Sequence, residues 1–445
     1  MSSEGRLSIY KKNLLDKYQS TFLLSRIWNL VGYLITFFVV SNFLGRVEQG
    51  YYYTLNSLIA LQVFFELGFS YVIVQKSSHL HSLWVNKPTH DKSCPEYKEA
   101  SSFFLYIVQW FSCCAFIFII VLIVVGNSFF SSKTHVNDPL TSIWYFLIVL
   151  TALNLILTAV LSFFEGFGKA LHIYKIKLFQ NIFSQCILWI AIYNGLGLKS
   201  IAFSNFTLFV VGIILVLVSF RTDLISLFKA RSSKFVYWVK DLFKYQSKVA
   251  LSWISGYFQF QLLVPIIFHY RGAIDAGRMG NTFTLVSGIT ALSLSLIQSK
   301  SWEYSSLIAV KNYEGVNKIF KKNLLQILFA SVFIGIGMYA LIIIINYKGY
   351  GIAQKVLPPI PFLLFILATI FNVIIAGIAI YLRAFLEEKL MVVSLSTGLS
   401  MILLLLLVTP KYGLLGVSIV YLSCTLFIGL LGAVYILRQK LKSLK

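Results

Sequence analysis

The sequence predicts an all-α polytopic membrane protein, with twelve transmembrane helices in two pseudo-symmetric six-helix lobes around a central cavity. Three observations lead there. Residues of the hydrophobic class make up 58% of the 445-residue chain and charged residues only 12%, which leaves too little polar material to cover a soluble protein. The apolar residues gather into repeated runs close to the ~20 residues that cross a bilayer core. The basic residues fall between those runs in a regular alternation.

The first run, 20–43, is long enough to span and carries no separate cleavable signal before it. A short turn, "GRVEQG" at Gly45–Gly50, leads into span 2 at 51–75. Spans 3 and 4 follow at 101–126 and 140–164. Spans 5 and 6, at 179–198 and 201–220, are joined tightly around "NGLGLKS". The segment Arg221–Lys248 carries seven cations, and its "FVYWVKDLFKYQ" reads as an amphipathic helix lying in the interface. The second half then places spans at 249–270, 279–299, 324–346, 357–382, 390–408 and 413–436. Spans 2 and 8 are the weakest, because they hold many small and polar residues. Pro358, Pro359 and Pro361 stand where a helix start accepts proline. Pro265 lies inside span 7 and is the better candidate for a kink. The expected domains are therefore an N-terminal lobe at 1–220, a linker at 221–248 and a C-terminal lobe at 249–445.

Orientation follows from charge. With the N-terminus in the cytoplasm, the cytoplasmic loops and tails hold 29 Lys and Arg against 8 on the other side, and Arg26 lies within span 1. An even span count with both termini in the cytoplasm accounts for that asymmetry. It also assigns the net charge of +22 to topology and anionic lipid headgroups rather than to nucleic acid. Five cysteines lack metal-ligand spacing, and the loop with His79, His81, His90, Asp91 and Cys94 fits no recognised zinc pattern, so no metal or cofactor is expected. Without paired carboxylates at helical spacing, a nucleotide-binding glycine loop or a nucleophile elbow, the chain is not expected to be an enzyme.

Charges within the spans are the candidate functional groups. Glu66 lies about 15 residues into span 2, too deep for its short side chain to reach water along the helix. It is expected either to serve a cavity or coupling role or to make a structural polar contact. Arg26 either snorkels to the interface or lines the cytoplasmic half of a cavity. Arg271 closes span 7 on the outer side, Arg278 follows the turn, and Lys300 closes span 8 on the inner side. Gln259 and Gln261 add polar groups to span 7. Cations at both mouths suit an anionic substrate.

An internal echo supports two halves. At an offset of 227, "GRVEQG" lies over "GAIDAG" at Gly272–Gly277. Gly45 then meets Gly272, Glu48 meets Asp275, and Gly50 meets Gly277. Repeats that each begin inside are parallel, related by an axis along the membrane normal, as in transporters that alternate access.

The opening unit, "NLVGYLITFFVVSNFLGRVEQGYYYTLNSLIALQVFFELGFSYVIVQK", resembles the first two helices of the Wzx-type polysaccharide flippases. Those belong to the multidrug/oligosaccharidyl-lipid/polysaccharide exporter superfamily, and the resemblance in span organisation covers essentially the whole chain. It implies transfer of undecaprenyl-diphosphate-linked repeat units for O-antigen, capsule or a related polymer to the periplasmic leaflet. It also implies a monomeric transport unit, with a polysaccharide polymerase and chain-length regulator as possible partners. Arg26 matches the position of a pyrophosphate-binding arginine in related flippases, and Arg46 matches another loosely. Proton or sodium coupling through Glu66 is compatible with this class. Two rivals stay open: a cation-coupled multidrug antiporter of the same superfamily, and a membrane polysaccharide polymerase.

Overall fold

The structure is a computed structural model. It describes residues 21–85, 92, 94–130, 139–230, 254–298, 304, 307–308, 311–385 and 388–444, except 22, 23, 26 and 30. Among the described residues the regular structure is helical. The first half contains α1 (Ile27–Phe43), α2 (Arg46–Ile59), α3 (Val63–Glu66), α4 (Phe69–Val85), α5 (Pro95–Phe130), α6 (Pro139–Phe164), α7 (Ala170–Tyr193) and α8 (Lys199–Lys229). The second contains α9 (Leu263–Arg271), α10 (Ala273–Gln298), α11 (Tyr313–Tyr347), α12 (Pro359–Ala384), α13 (Met391–Ser423) and α14 (Leu431–Ser443).

Seven stretches are long and apolar enough to cross a membrane, or eight if the bent pair Arg46–Glu66 and Phe69–Val85 forms one span. Two of them are too long for a single crossing. Leu140–Tyr193 and Met391–Ser443 run 54 and 53 residues, about 80 Å of helix against a hydrocarbon core of about 30 Å. Each is broken inside, the first at Phe167–Gly168, where Gly168 has φ 78°, and the second at Gly413, with φ 56°. Reading each as two spans, and adding α1 and the helical segment that ends at Arg271, brings the described spans to the expected twelve.

Contacts divide the chain into two compact units. One comprises Met1–Val31 with Gln62–Ser247, the other Gly32–Leu61 with Lys248–Lys445. The expected lobes follow chain order, whereas these units do not: Gly32–Leu61 leaves the first half to pack in the second unit.

In the first unit, Phe164 stacks on Phe220 with ring centroids 4.5 Å apart, and Phe163 and Trp84 stack on Phe167. The Tyr97 and Ser226 hydroxyls meet at 2.5 Å, and Lys169 lies 3.7 Å from Asp223. These contacts gather the loops after spans 2, 4 and 6 at one end. In the second unit Arg46 bonds Gln354, and the Arg271 guanidinium lies against Gly413, gathering the loops after spans 1, 7, 9 and 11. Tyr381 stacks on Phe320 at 4.2 Å and Lys440 caps the Phe385 ring at 4.2 Å, where the chain follows spans 8, 10 and 12. Odd loops meet odd loops and even meet even, which is the parity that twelve crossings require.

Two expectations change in detail. Span 2 begins at Arg46 rather than at 51 and carries a break, described below. Segment 76–100 is expected as a cytoplasmic loop, yet α4 continues into it as far as Val85, and within it His81 packs edge-on against Phe167. Of the expected linker, residues 221–229 extend α8 beyond a kink at Phe220, while "FVYWVKDLFKYQ" lies outside the described residues. Pro265 does interrupt span 7. It has no N–H for the Gln261 carbonyl, and helical residues 254–260 give way to a turn at Gln261–Leu262 before α9 begins.

Candidate functional site

Glu66 stands at a break. After α2 ends at Ile59, a tight 3₁₀ turn covers Ala60–Gln62 and α3 ends at Leu67, which adopts φ 48° and ψ 29°. Gly68 follows at φ 69°, and the chain resumes as α4 bent by 43°. A leucine in the left-handed region costs about 1–2 kcal/mol, so packing around it must hold the break in place. Glu66 is half-buried as the last residue of α3, and among the described residues it has no hydrogen-bond or ion-pair partner. A carboxylate at a helix C-terminus meets the negative end of the dipole and the unpaired last carbonyls. Such an oxygen-rich place suits a proton or a small cation.

A second assembly forms where α2 crosses α10. Both helices begin one residue after a glycine, at Arg46 and Ala273, and so keep the offset of 227 found in the sequence. The two starts are finished differently. The Gly45 N–H donates to the Glu48 carboxylate at 2.9 Å, closing the first turn of α2. Asp275 instead faces two arginines, with Arg278 at 3.1 Å and Arg271 at 3.7 Å. Gly50 sits against the α10 backbone: a Cβ added there would lie 1.9 Å from the Ala273 carbonyl oxygen, so only glycine permits this approach.

The close crossing encloses a polar network. Asn281, fully buried, donates to Gln49 Oε1 and to the Lys355 carbonyl, both at 2.8 Å. Its own oxygen accepts the Tyr53 hydroxyl at 2.8 Å and the Ser41 hydroxyl at 3.4 Å. Gln49 donates in turn to the Leu44 carbonyl at 2.9 Å, and Tyr257 donates to the Ser57 carbonyl at 3.2 Å. Every polar atom of the Asn281 side chain is thus satisfied, as a polar residue away from water requires.

Above the network lies a short strap, a 3₁₀ turn at Gly351–Lys355. Arg46 donates to the Gln354 side-chain oxygen, Arg278 Nε donates to the Gln354 carbonyl at 3.0 Å, and Lys355 donates to the Ser41 carbonyl. Partial burial pushes the Lys355 pKa down, and the nearby Arg46 charge pushes it the same way.

The remaining predicted site residues separate. Gln259 Nε2 donates to the Ser394 carbonyl at 2.8 Å and ties span 7 to the first turn of α13, while Gln261 is exposed at the turn. Arg271 is exposed and held beside Asp275. Arg26 and Lys300 lie outside the described residues. Sequence reasoning passed over Gln49, Tyr53, Asn281 and Lys355. The signal for the first three was the unusual polarity of spans 2 and 8, which are the two helices that cross. Lys355 carried no such signal in the short connection between spans 9 and 10.

No family model matches the chain, and no curated protein matches it by sequence. Solved structures do. The lipid II flippase MurJ in an inward closed conformation superposes with a TM-score of 0.60 at 14% identity, covering 95% of this chain and 87% of that one. A Vibrio cholerae MATE transporter gives a TM-score of 0.60 at 12% identity, with 97% and 98% covered. A multidrug resistance MATE family transporter of the MOP superfamily, in its outward-facing conformation, gives 0.55 at 12% identity, with 96% of each chain covered. At these identities the shared property is the fold.

Proposed function

From that shared fold we propose that the chain is a membrane transporter of the flippase type. It moves a lipid-linked glycan diphosphate, undecaprenyl-diphosphate oligosaccharide in the reading favoured here, from the cytoplasmic to the periplasmic leaflet by alternating access. The observation that carries the proposal is the charge balance. Among the described residues, Arg46, Arg271, Arg278 and Lys355 gather at one end of the second unit with Asp275 as the acid in contact, while Glu48 accepts from the Gly45 N–H. An excess of cations along the route suits a diphosphate headgroup, which guanidinium groups hold by charge-assisted hydrogen bonds. The headgroup needs a wet path shielded from lipid, while a polyprenyl tail stays in hydrocarbon.

In this reading both termini lie in the cytoplasm of a bacterial inner membrane, one chain suffices for transport, and a polymerase with its chain-length regulator consumes the product. Arg26 and Lys300 are assigned to the cytoplasmic side of the path, where the substrate enters. Glu66 at the break in span 2 is the group through which a proton or sodium ion would couple. A cation-coupled drug antiporter is the second reading, and the Glu66 carboxylate, without a partner among the described residues, is the observation that favours it.

The deciding experiment is to delete the gene and identify the lipid-linked sugars that accumulate, with their leaflet assigned by an impermeant glycan-modifying reagent. Diphosphate-linked oligosaccharide trapped on the cytoplasmic side and released by the wild-type gene supports flipping. Normal periplasmic delivery in the deletion strain moves the assignment to the antiporter.

A further inference from the structure

We propose that Arg46, Arg278 and Lys355, gathered on Gln354 at the end of the second unit, form a binding site for phosphoryl oxygens. In the transport reading, on which the side of the membrane rests, this is where a diphosphate headgroup is held as it reaches the outer leaflet.

The three cations meet little compensating charge among the described residues. They come from three separate segments: the first residue of α2, the second turn of α10 and the strap. Arg46 and Arg278 both donate to Gln354, and Lys355 follows it in the chain. Gln354 is neutral and Lys355 donates to a backbone carbonyl, so these bonds discharge none of the three charges. Among the described residues Asp275 is the acid in contact, and it is divided between Arg271 and Arg278. Glu48 spends its carboxylate on the Gly45 N–H. Like charges brought together with so little compensation are unfavourable unless an anion joins them. The Lys355 pKa is pushed down first by its partial burial and then by the Arg46 charge beside it.

Topology does not explain the cluster. Basic residues concentrate on the cytoplasmic side for insertion, and the outer loops hold only 8 of the 38. Arg46, Arg271, Arg278 and Lys355 are half of those eight, drawn from three different loops into one place. The site is also open. Arg46 and Gln354 are exposed, and Arg46 retains guanidinium donors in the fork arrangement that matches phosphate oxygens. The N-terminus of α2 adds its positive dipole end beside them. A phosphate, a diphosphate and a phospholipid headgroup share this chemistry.

The test is calorimetric titration of the purified full-length protein in dodecyl maltoside, a detergent without phosphate, using inorganic pyrophosphate as the probe. The expected result is binding that Arg46→Gln, Arg278→Gln and Lys355→Gln each weaken about tenfold, the loss of one charge-assisted contact. Lys355→Arg should keep it. Adding phosphatidylglycerol to the micelles separates the sources. Competition with pyrophosphate that depends on the same three residues assigns the site to phospholipid headgroups, and the absence of competition assigns it to the diphosphate of the carried lipid. No pyrophosphate binding, or affinities within about twofold of wild type in all three variants with unchanged melting midpoints, overturns the proposal. If a glutamine variant does not fold, Arg46→Lys replaces it, because it keeps the charge and removes the fork. The titration needs no transport. A protein that binds here while its deletion strain delivers sugars normally keeps the site and loses the flippase reading; the converse result loses only the site.

Discussion

Replacing Gly50 with alanine tests the helix crossing on which the Asn281 network and the strap are built. The added Cβ would lie 1.9 Å from the Ala273 oxygen and 2.5 Å from its carbonyl carbon, whereas ordinary contact starts near 3.4 Å. Both atoms belong to backbone, so no side chain can swing aside. The helices must part by about 1.5 Å at that point. The same movement stretches the bonds from Asn281 to Gln49 and from Tyr53 to Asn281, each 2.8 Å, to about 4.3 Å, beyond hydrogen-bonding range. Two lost bonds at about 1 kcal/mol each, plus about 1–3 kcal/mol of overpacking, give about 3–5 kcal/mol. That is a large share of the stability of a typical fold. Two neighbouring glycines calibrate the result. Gly277→Ala places its Cβ 3.0 Å from the Gly50 nitrogen and should cost about 1 kcal/mol, while Gly45→Ala meets only the Glu48 side chain at 3.4 Å and should be near neutral. The assay is the melting midpoint of each purified variant in one detergent, followed by tryptophan fluorescence. A Gly50→Ala protein that melts with the wild type, or a Gly277→Ala protein that melts below the Gly50→Ala one, would refute the contact as described.

Three further outcomes are expected. Lys355 has a folded-state pKa below its ordinary 10.5, so between those two values the unfolded chain binds more protons and stability rises with pH. Below the lowered pKa the lysine is charged in both states and its penalty is fully present. Lys355→Gln should remove the rise, read as melting midpoints of the two proteins from about pH 8 to 10.5; parallel curves count against the assignment. Gln259→Leu should cost about 1 kcal/mol by removing its bond to the Ser394 carbonyl, whereas Gln261→Leu at the exposed turn should stay within about 0.5 kcal/mol, both measured by thermal melting. Glu66→Gln removes a carboxylate without a described partner, so it should leave the midpoint in place and flatten the pH dependence of transport in the leaflet assay. An unchanged pH profile would take Glu66 out of the coupling role.

How much of this was legible in the sequence depended on the range of the cause. Span positions were legible because apolar length is a local property, and the parity of the loops followed from counting cations. The pairing of Gly45–Gly50 with Gly272–Gly277 was visible as an offset, and the helix starts at Arg46 and Ala273 keep it. What the offset could not supply was that these two turns adjoin helices in direct contact, since similar local geometry does not imply proximity. The break at Glu66–Gly68 was hidden for a different reason. Leu67 has no propensity for the left-handed region, and the kink depends on packing that no short window records. The expected continuous span at 51–75 was therefore too simple. Lys355 was missed because its partners, Ser41 and Asn281, lie 314 and 74 residues away.

The chemistry of the α2–α10 crossing bears on whether a transporter could use it. An outer contact that must open and close in each cycle has to be specific without being strong. A large apolar seam would fail, because separating it exposes surface at about 25 cal/mol for every square ångström. Gly50 and Gly277 bring backbones together while contributing almost no side-chain area. The bonds around Asn281 join hydroxyl and side-chain amide groups to one another and to the Lys355 carbonyl, and water can replace each of them when the helices part, at a net cost of about 1 kcal/mol per bond. Shape then fixes the closed register and exchangeable hydrogen bonds keep it reversible. The polarity that made spans 2 and 8 the weakest of the twelve is, on the transport reading, the property that lets them separate.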